Sequence, residues 1–258
     1  MTKNIGIIGV GHFAGYLVEG FMNRAPSINI TLSPRNNEKA ASLSKEYGCQ
    51  VATDNQDVIN KSDIIILAVR PDTVNSVLDG LEFPENKLVI SVVAGSKPDL
   101  LKPLIAPANV VCCLPISCAA VNQSPTLLYP HNDEAHELLS LLGTVIPCQN
   151  QQEFTTASTY SAFYGWLFEF IAKAGKWGEE NGLDPEMARK ITEQTICGAA
   201  IMSGKDSDKT FEQIIENVAT KGGITDLGLK VINADDGYKP WLDAMDAVKN
   251  RLSGSQDS

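Results

Sequence analysis

A short apolar run that leads directly into a glycine-rich turn constrains this chain more than any other feature of its sequence. Ile5-Gly6-Ile7-Ile8 has the pattern of a buried strand, and Gly9-Val10-Gly11-His12-Phe13-Ala14 follows it as a G-x-G-x-x-A at the start of a helical pattern. Gly9 permits the tight turn, Gly11 lets the backbone approach a pyrophosphate, and Ala14 allows close packing of helix on strand. The turn predicts a dinucleotide site, and a glycine-rich turn without a ligand is the alternative.

Two further side chains belong to this candidate site. Phe13 lies at the helix start, and His12 lies within the turn, where it either approaches the phosphates or packs against the helix. The sequence leaves the role of His12 open. We count Gly9, Gly11, His12, Phe13 and Ala14 as candidate cofactor-binding residues.

The first half of the chain alternates short β-branched runs with helical patterns, which is typical of a parallel sheet covered by helices. The clearest strand is Asp-Ile-Ile-Ile-Leu-Ala-Val at residues 63–69, a continuous apolar run of the kind that is buried on both faces. Asn36 and Gly48 are placed to cap a helix, and Ser96 to cap another near Pro98. We therefore predict an N-terminal α/β domain with a Rossmann-type, doubly wound parallel sheet.

After residue 152 strand patterns stop and apolar residues recur at helical spacing. Phe163, Leu167, Ile171 and Ala174 share one helical face. We predict two domains, a dinucleotide-binding domain over residues 1–152 and an all-α domain over residues 153–258.

The end of the second predicted strand indicates which cofactor is used. An acidic residue there would hold the ribose 2′-hydroxyl of NAD, whereas a basic one would hold the 2′-phosphate of NADP. The segment reads Ser33-Pro34-Arg35-Asn36, and no carboxylate occurs before Glu38. Ser33, Arg35 and Asn36 thus predict NADP(H) as the cofactor. The alternative is that Arg35 is a solvated charge in a loop that binds no cofactor.

Composition excludes several other classes of protein. The formal charge of −10, without a local basic stripe, argues against a nucleic-acid partner. No uncharged apolar run approaches the roughly 20 residues that span a bilayer. Six cysteines without a C-x-x-C pair indicate reduced thiols and a cytoplasmic location, and His131 and His136 lack a third metal ligand. We expect a soluble protein without a metal site.

Several motifs resemble those of the pyrroline-5-carboxylate reductase family, and the resemblance extends through nearly the whole chain. Ser33-Pro34-Arg35-Asn36 resembles its Ser/Thr-Asn-Arg-Thr segment, Ala68-Val69-Arg70-Pro71 its Ala-Val-Lys-Pro, and Ser91-Val92-Val93-Ala94-Gly95 its Ile-Ser-Ile-Ala-Gly. The sequence of residues 194–202 resembles its Gln-x-x-x-Gly-Ala-Ala-x-Met helix. The resemblance implies cofactor contacts at Ala68, Val69, Arg70, Ala94 and Gly95, and a homodimer or larger homo-oligomer formed through the helical half.

A loop in the helical half also resembles the family. Val-Ala-Thr-Lys-Gly-Gly-Ile-Thr at residues 218–225 is similar to its Val-Thr-Ser-Pro-Gly-Gly-Thr-Thr. Backbone N–H groups and a hydroxyl at a helix N-terminus suit a carboxylate. The resemblance implies that the loop holds the carboxyl group of a cyclic imine and that Thr225, the catalytic candidate, lies near the ring nitrogen. It implies NADPH-dependent reduction of 1-pyrroline-5-carboxylate to L-proline. The candidate substrate-binding residues are Thr220, Gly222, Gly223, Ile224 and Thr225.

Two family motifs are altered. Arg-x-Met-Pro-Asn-Thr-Pro reads Cys-Cys-Leu-Pro-Ile-Ser-Cys at residues 112–118, so that Ile116 replaces an amide, and Gly-Ser-Gly-Pro-Ala-Tyr reads Thr-Tyr-Ser-Ala-Phe-Tyr at residues 159–164. Within the loop, Lys221 replaces proline. Three hypotheses follow: the family's reductase with a divergent pocket, a reductase of a different carboxylated imine or carbonyl compound, or a catalytically silent NADP-binding protein.

Overall fold

The computed structural model describes residues 3–254, which divide into two compact units. The first unit ends at Ser158 and the second begins at Thr159. The boundary predicted after residue 152 lies within a helix that the structure assigns to the first unit. Phe154 of that helix is buried in the apolar core of the sheet, which explains why the helix belongs there.

The first unit is built on one eight-stranded sheet. Its order is β3-β2-β1-β4-β5-β6-β7-β8, and all neighbouring pairs are parallel except β6 and β7. The predicted Rossmann-type α/β fold is thereby confirmed. The strands are β1 (Asn4–Ile8), β2 (Asn29–Leu32), β3 (Gln50–Val51), β4 (Ile64–Leu67), β5 (Leu88–Ser91), β6 (Asn109–Leu114), β7 (Ser124–Tyr129) and β8 (Gly143–Pro147).

Helices cover both faces of this sheet. They are α1 (His12–Arg24), α2 (Asn37–Tyr47), α3 (Asn55–Lys61), α4 (Val74–Leu78), α5 (Pro98–Ile105), α6 (Asp133–Leu139) and α7 (Gln151–Ser158), with 3-10 turns at Pro71–Thr73, Ser117–Val121 and Ser140–Leu142. The core consists of two clusters, one on each face. Alternate residues of β4 enter each cluster, Ile64 and Ile66 the first, Ile65 and Leu67 the second. The predicted burial of this strand on both faces is confirmed.

The predicted caps of α2 are present. The Asn36 side chain accepts a hydrogen bond from the Lys39 N–H, and Gly48 ends the helix in the left-handed conformation with φ of 73°. These caps depend on the residue types at the two helix ends, which the sequence supplies directly.

Two predictions about local structure were wrong. The prediction included no strand over residues 124–129, whereas β7 lies there, antiparallel to β6, because the short connection 115–123 reverses the chain and leaves no room for a parallel crossover. Ser96 does not cap α5, whose N-cap is Lys97 without a side-chain hydrogen bond. The Ser96 hydroxyl instead contacts Ser91 Oγ and Cys112 Sγ.

The second unit is all-helical, as predicted. Its helices are α8 (Tyr160–Glu180), α9 (Pro185–Lys205), α10 (Phe211–Val218), α11 (Ile224–Ala234) and α12 (Lys239–Ser253). An aromatic cluster joins α8 and α12, since Trp241 meets the rings of Phe163, Trp166 and Phe170 edge to face at 5.9–6.4 Å. This cluster forms the apolar contact between the two helices.

All six cysteines lie in the described part of the chain and are free thiols. Within residues 3–254, no helix has the length and apolar character that crossing a membrane requires. The same residues contain no group of three or more His, Cys, Asp or Glu side chains arranged to hold a metal ion.

Candidate cofactor and substrate sites

A cavity of about 540 Å³ opens at the carboxyl ends of β1, β2 and β4. It lies where the strand order reverses beside β1, which is where open parallel α/β sheets bind their ligands. Of the predicted cofactor residues, those that line the cavity are Gly9, Gly11, Ser33, Arg35, Asn36, Ala68, Val69 and Arg70.

The two glycines of the turn have different roles. Gly9 has φ of +99°, and a Cβ atom there would lie 2.6 Å from the Ala68 carbonyl oxygen and 2.7 Å from Val69 Cγ1. Gly9 therefore lets β1 turn tightly against the end of β4. At Gly11 a Cβ atom would meet no atom within 4 Å, so this residue leaves open space beside the cavity at the start of α1.

The segment after β2 contributes a guanidinium to the cavity. Ser33 is buried, and its hydroxyl accepts a hydrogen bond of 3.0 Å from the Gly9 N–H, which ties β2 to the glycine turn. Arg35 is exposed and forms no ion pair with any residue of 3–254. Arg70, by contrast, is already paired with Asp72, with 2.7 Å between Nη2 and Oδ2. Arg35 is thus the guanidinium that is available to an anionic ligand of this cavity.

Three predicted residues at the start of α1 do not line the cavity. Ala14 is buried in the core beneath β1, as close helix-on-strand packing requires, and Phe13 packs partly buried against the same core. The exposed His12 lies 2.8 Å from the Tyr16 hydroxyl through Nε2. This contact places His12 against its own helix, one of the two arrangements that the sequence left open.

The predicted pair Ala94 and Gly95 lines a separate cavity of about 180 Å³ between the segment 71–75 and α5. Gly95 has φ of +72°, and a polar chain beneath this turn holds it in place. Ser96 Oγ lies 3.1 Å from Ser91 Oγ and donates to Cys112 Sγ at 3.3 Å. Burial raises the pKa of the Cys112 thiol to about 11, so the thiol stays protonated near neutral pH.

The loop before α11 holds the predicted substrate residues. Gly223 is the N-cap of α11 and Gly222 has φ of +80°, so the turn needs glycine there. Both glycine N–H groups are occupied within the loop: Gly222 donates to Asp226 Oδ2 at 2.8 Å and Gly223 to the Thr220 carbonyl at 2.8 Å. The first-turn N–H groups of Ile224 and Thr225 have no acceptor within the helix, because a helix leaves its first donors unpaired.

Comparison with known proteins places this geometry in a family. Residues 4–95 match a family model described as NADP oxidoreductase coenzyme F420-dependent, and residues 152–254 match one described as pyrroline-5-carboxylate reductase dimerisation. Pyrroline-5-carboxylate reductase 1 of Bacillus spizizenii is 32% identical over 99% of this chain and 90% of its own length. The chain belongs to the pyrroline-5-carboxylate reductase family. The membership inferred from the motifs is confirmed.

Solved structures of the family share the fold. A pyrroline-5-carboxylate reductase from Streptococcus pyogenes matches 98% of each chain with a TM-score of 0.85 at 23% identity. The Plasmodium falciparum pyrroline carboxylate reductase with NADP bound matches 99% of this chain and 98% of its own, also with a TM-score of 0.85, at 22% identity.

Against this family background, the two altered motifs have visible structural consequences. Ile116 is partly buried, and its N–H donates to Ser124 Oγ at 3.0 Å, so the backbone here is tied to β7. Tyr160 begins α8, is exposed and meets the Phe163 ring at 6.1 Å. Ile116 therefore presents an alkyl side chain where the family motif has an amide, and Tyr160 presents an exposed aromatic ring where the family motif has serine.

Sequence reasoning missed six residues that line the large cavity: Ile8, Val10, Asn37, Asn55, Thr73 and Val77. Asn55 begins α3, whose N-cap Asp54 accepts from the Asp57 N–H. The spacing of Asp54 before a short apolar pattern was an available capping signal for this helix. Thr73 and Val77 follow the Arg70-Pro71 strand end, where no helical repeat is long enough to be recognised.

Proposed function

We propose that this chain reduces the C=N bond of 1-pyrroline-5-carboxylate to L-proline with NADPH. The observation that carries the proposal is the cavity at the strand reversal, with open space at Gly11 and an Arg35 that forms no ion pair within residues 3–254, in a chain that belongs to this reductase family. The reaction adds a hydride to the imine carbon and a proton to the nitrogen.

The cavity residues suit a dinucleotide with a 2′-phosphate. Gly11 leaves space for a pyrophosphate at the N-terminus of α1, where the helix dipole favours negative charge. Arg35 can pair bidentately with a phosphate. The chain has no acidic side chain at the end of β2 that would repel that phosphate. When bound, NADPH supplies the hydrogen and the two electrons of the reduction.

The loop before α11 is the proposed site for the carboxylate of the imine. Ile224 and Thr225 place two N–H donors and one hydroxyl at a helix N-terminus, and both residues are exposed. Such donors would bind and orient the acid end of the substrate, which reduces the entropy cost of reaction. The Thr225 hydroxyl is the proposed partner of the ring nitrogen. The chain contributes positioning there, and an imine is more reactive when its nitrogen is protonated.

A test of the reaction follows NADPH absorbance with purified protein and 1-pyrroline-5-carboxylate. We expect turnover, with L-proline as the product by chromatography. No turnover at millimolar substrate, with NADPH still bound in a fluorescence titration, would contradict the proposed reaction. Turnover of a different carboxylated imine in a substrate panel would then indicate that the altered motifs at residues 112–118 and 159–164 accompany a change of substrate. Inactivity with every imine tested would support a silent NADP-binding protein.

We further propose that the helical unit forms a homodimer. Many large apolar side chains of α9, α10 and α11 are exposed in the single chain, and exposed apolar surface of this kind is typical of a protein–protein interface. They include Met187, Ile191, Ile201, Met202, Phe211, Ile215, Val218, Ile224, Leu227 and Val231. Sedimentation at micromolar concentration should give a dimer or a larger homo-oligomer, and a stable monomer would contradict this prediction.

A further inference from the structure

Asp226 places a carboxylate of the chain itself inside the proposed substrate loop. One oxygen, Oδ2, accepts a hydrogen bond of 2.8 Å from the Gly222 N–H and a second one of 2.7 Å from Lys230 Nζ. The Asp226 side chain is only 20% exposed, whereas Lys230 is 67% exposed. The carboxylate is therefore held in place, and its cationic partner reaches into solvent.

The Asp226 carboxyl is ionised near neutral pH. The hydrogen bond from Lys230, followed by that from the Gly222 backbone, holds its pKa below the usual range. A fixed negative charge thus lies in the first turn of α11, next to Thr225. A substrate carboxylate at the same helix end must approach this charge.

Two consequences follow for an incoming carboxylate. The Gly222 N–H is already used by Asp226, so the substrate has fewer donors than the glycine pair alone would offer. Repulsion from Asp226 also weakens binding of an anion, and the neighbouring ammonium of Lys230 offsets that repulsion.

We propose that Asp226 and Lys230 set the charge selectivity of this loop, Asp226 by opposing a substrate carboxylate and Lys230 by neutralising Asp226. This inference rests on the proposed function of the loop. The two side chains act on affinity for the acid end of the substrate, so that their effects fall on KM for carboxylated imines. For neutral imines of the same ring size, KM should not depend on Asp226 or Lys230.

The test compares Asp226→Asn, Lys230→Gln and the double variant on two substrates, 1-pyrroline-5-carboxylate and 1-pyrroline, which lacks the carboxylate. Asparagine keeps an acceptor for the Gly222 N–H, so the turn is preserved. We expect KM for the carboxylated imine to fall about three- to tenfold in Asp226→Asn and to rise by a similar factor in Lys230→Gln. The double variant should lie within about twofold of the wild type, because the opposite effects of the two charges on the substrate carboxylate are removed together.

The control pair is Lys239 and Asp243 on α12, also spaced i,i+4 and also joined at 2.7 Å. Asp243→Asn should leave KM for both substrates unchanged, and kcat should change less than twofold in the Asp226 and Lys230 variants. Parallel changes of KM for 1-pyrroline and 1-pyrroline-5-carboxylate would overturn the inference, and so would an unchanged KM in Asp226→Asn.

Binding of tetrahydro-2-furoate, an unreactive carboxylated five-membered ring, separates this inference from the proposed reaction. Calorimetry with NADP⁺ present should show tighter binding to Asp226→Asn than to the wild type, even if the wild type turns over no imine. Equal affinities, or no binding to either protein at tens of millimolar, would overturn the inference. The thermal midpoint of each variant establishes that the fold is retained.

Discussion

Gly11→Val should raise the dissociation constant for NADPH by at least about 100-fold, roughly 3 kcal/mol, while the protein remains folded. The backbone at Gly11 is extended, with φ of −94° and ψ of −165°, a conformation that any residue adopts. A valine side chain there meets no atom of the chain near its Cβ, so it projects into the space that the pyrophosphate needs. Fluorescence titration with NADPH measures the loss.

The matched control for this prediction is Gly9→Val in the same turn. Its Cβ would lie 2.6 Å from the Ala68 carbonyl oxygen at φ of +99°, so we expect a loss of stability of about 3 kcal/mol or more. The apo thermal midpoint should therefore fall sharply for Gly9→Val and by less than about 2 °C for Gly11→Val. NADPH should raise the midpoint of the wild type and should have a much smaller effect on that of Gly11→Val. If Gly11→Val bound NADPH with wild-type affinity, the assignment of this cavity as the cofactor site would be contradicted.

Arg35→Asp should weaken NADPH about 100-fold or more and NADH by less than about threefold. Arg35 lines the cavity and forms no ion pair with any described residue, and a charge-assisted pair with the 2′-phosphate contributes about 1.5–3 kcal/mol. Aspartate removes that pair and adds repulsion of the phosphate, whereas NADH carries no phosphate at this position. Dissociation constants and kcat/KM measured with both cofactors test the change.

Arg24→Asp is the charge-matched control, because Arg24 is exposed in the last turn of α1, at the end opposite the glycine turn. It should change the affinity for neither cofactor by more than about twofold. Equal weakening of NADPH and NADH by Arg35→Asp would remove the argument that Arg35 selects NADP.

The α/β unit was largely predictable because the sequence patterns that specify it are local. The glycine turn follows its strand without a gap, and the continuous apolar run at β4 predicted a strand that is buried on both faces. Asn36 and Gly48 cap α2 through contacts within a few residues. Each of these features depends on neighbouring residues alone, so that the sequence contains the information that the prediction needs.

Errors occurred where distant residues compete for the same group. Ser96 has the residue type of a helix cap, but Cys112 and Ser91 lie within reach of its hydroxyl once β5 and β6 are paired. Strand β7 begins Ser-Pro-Thr, which is typical of a loop, and exists because β6 and β8 flank it. Neither partner is visible from the local sequence.

The sequence by itself determined the α/β and all-α halves, the position of the glycine turn and the family, because periodicity, caps and motif spacing are properties of contiguous residues. Only the tertiary structure decided how two residues of the same type come to have different roles. Gly9 packs against the end of β4 while Gly11 faces open space, and Arg70 is paired with Asp72 while Arg35 has no ionic partner among residues 3–254. Asp226 takes the Gly222 N–H that a substrate carboxylate would otherwise find unpaired. Such differences depend on distances of a few ångströms between groups, and residue types alone do not specify those distances.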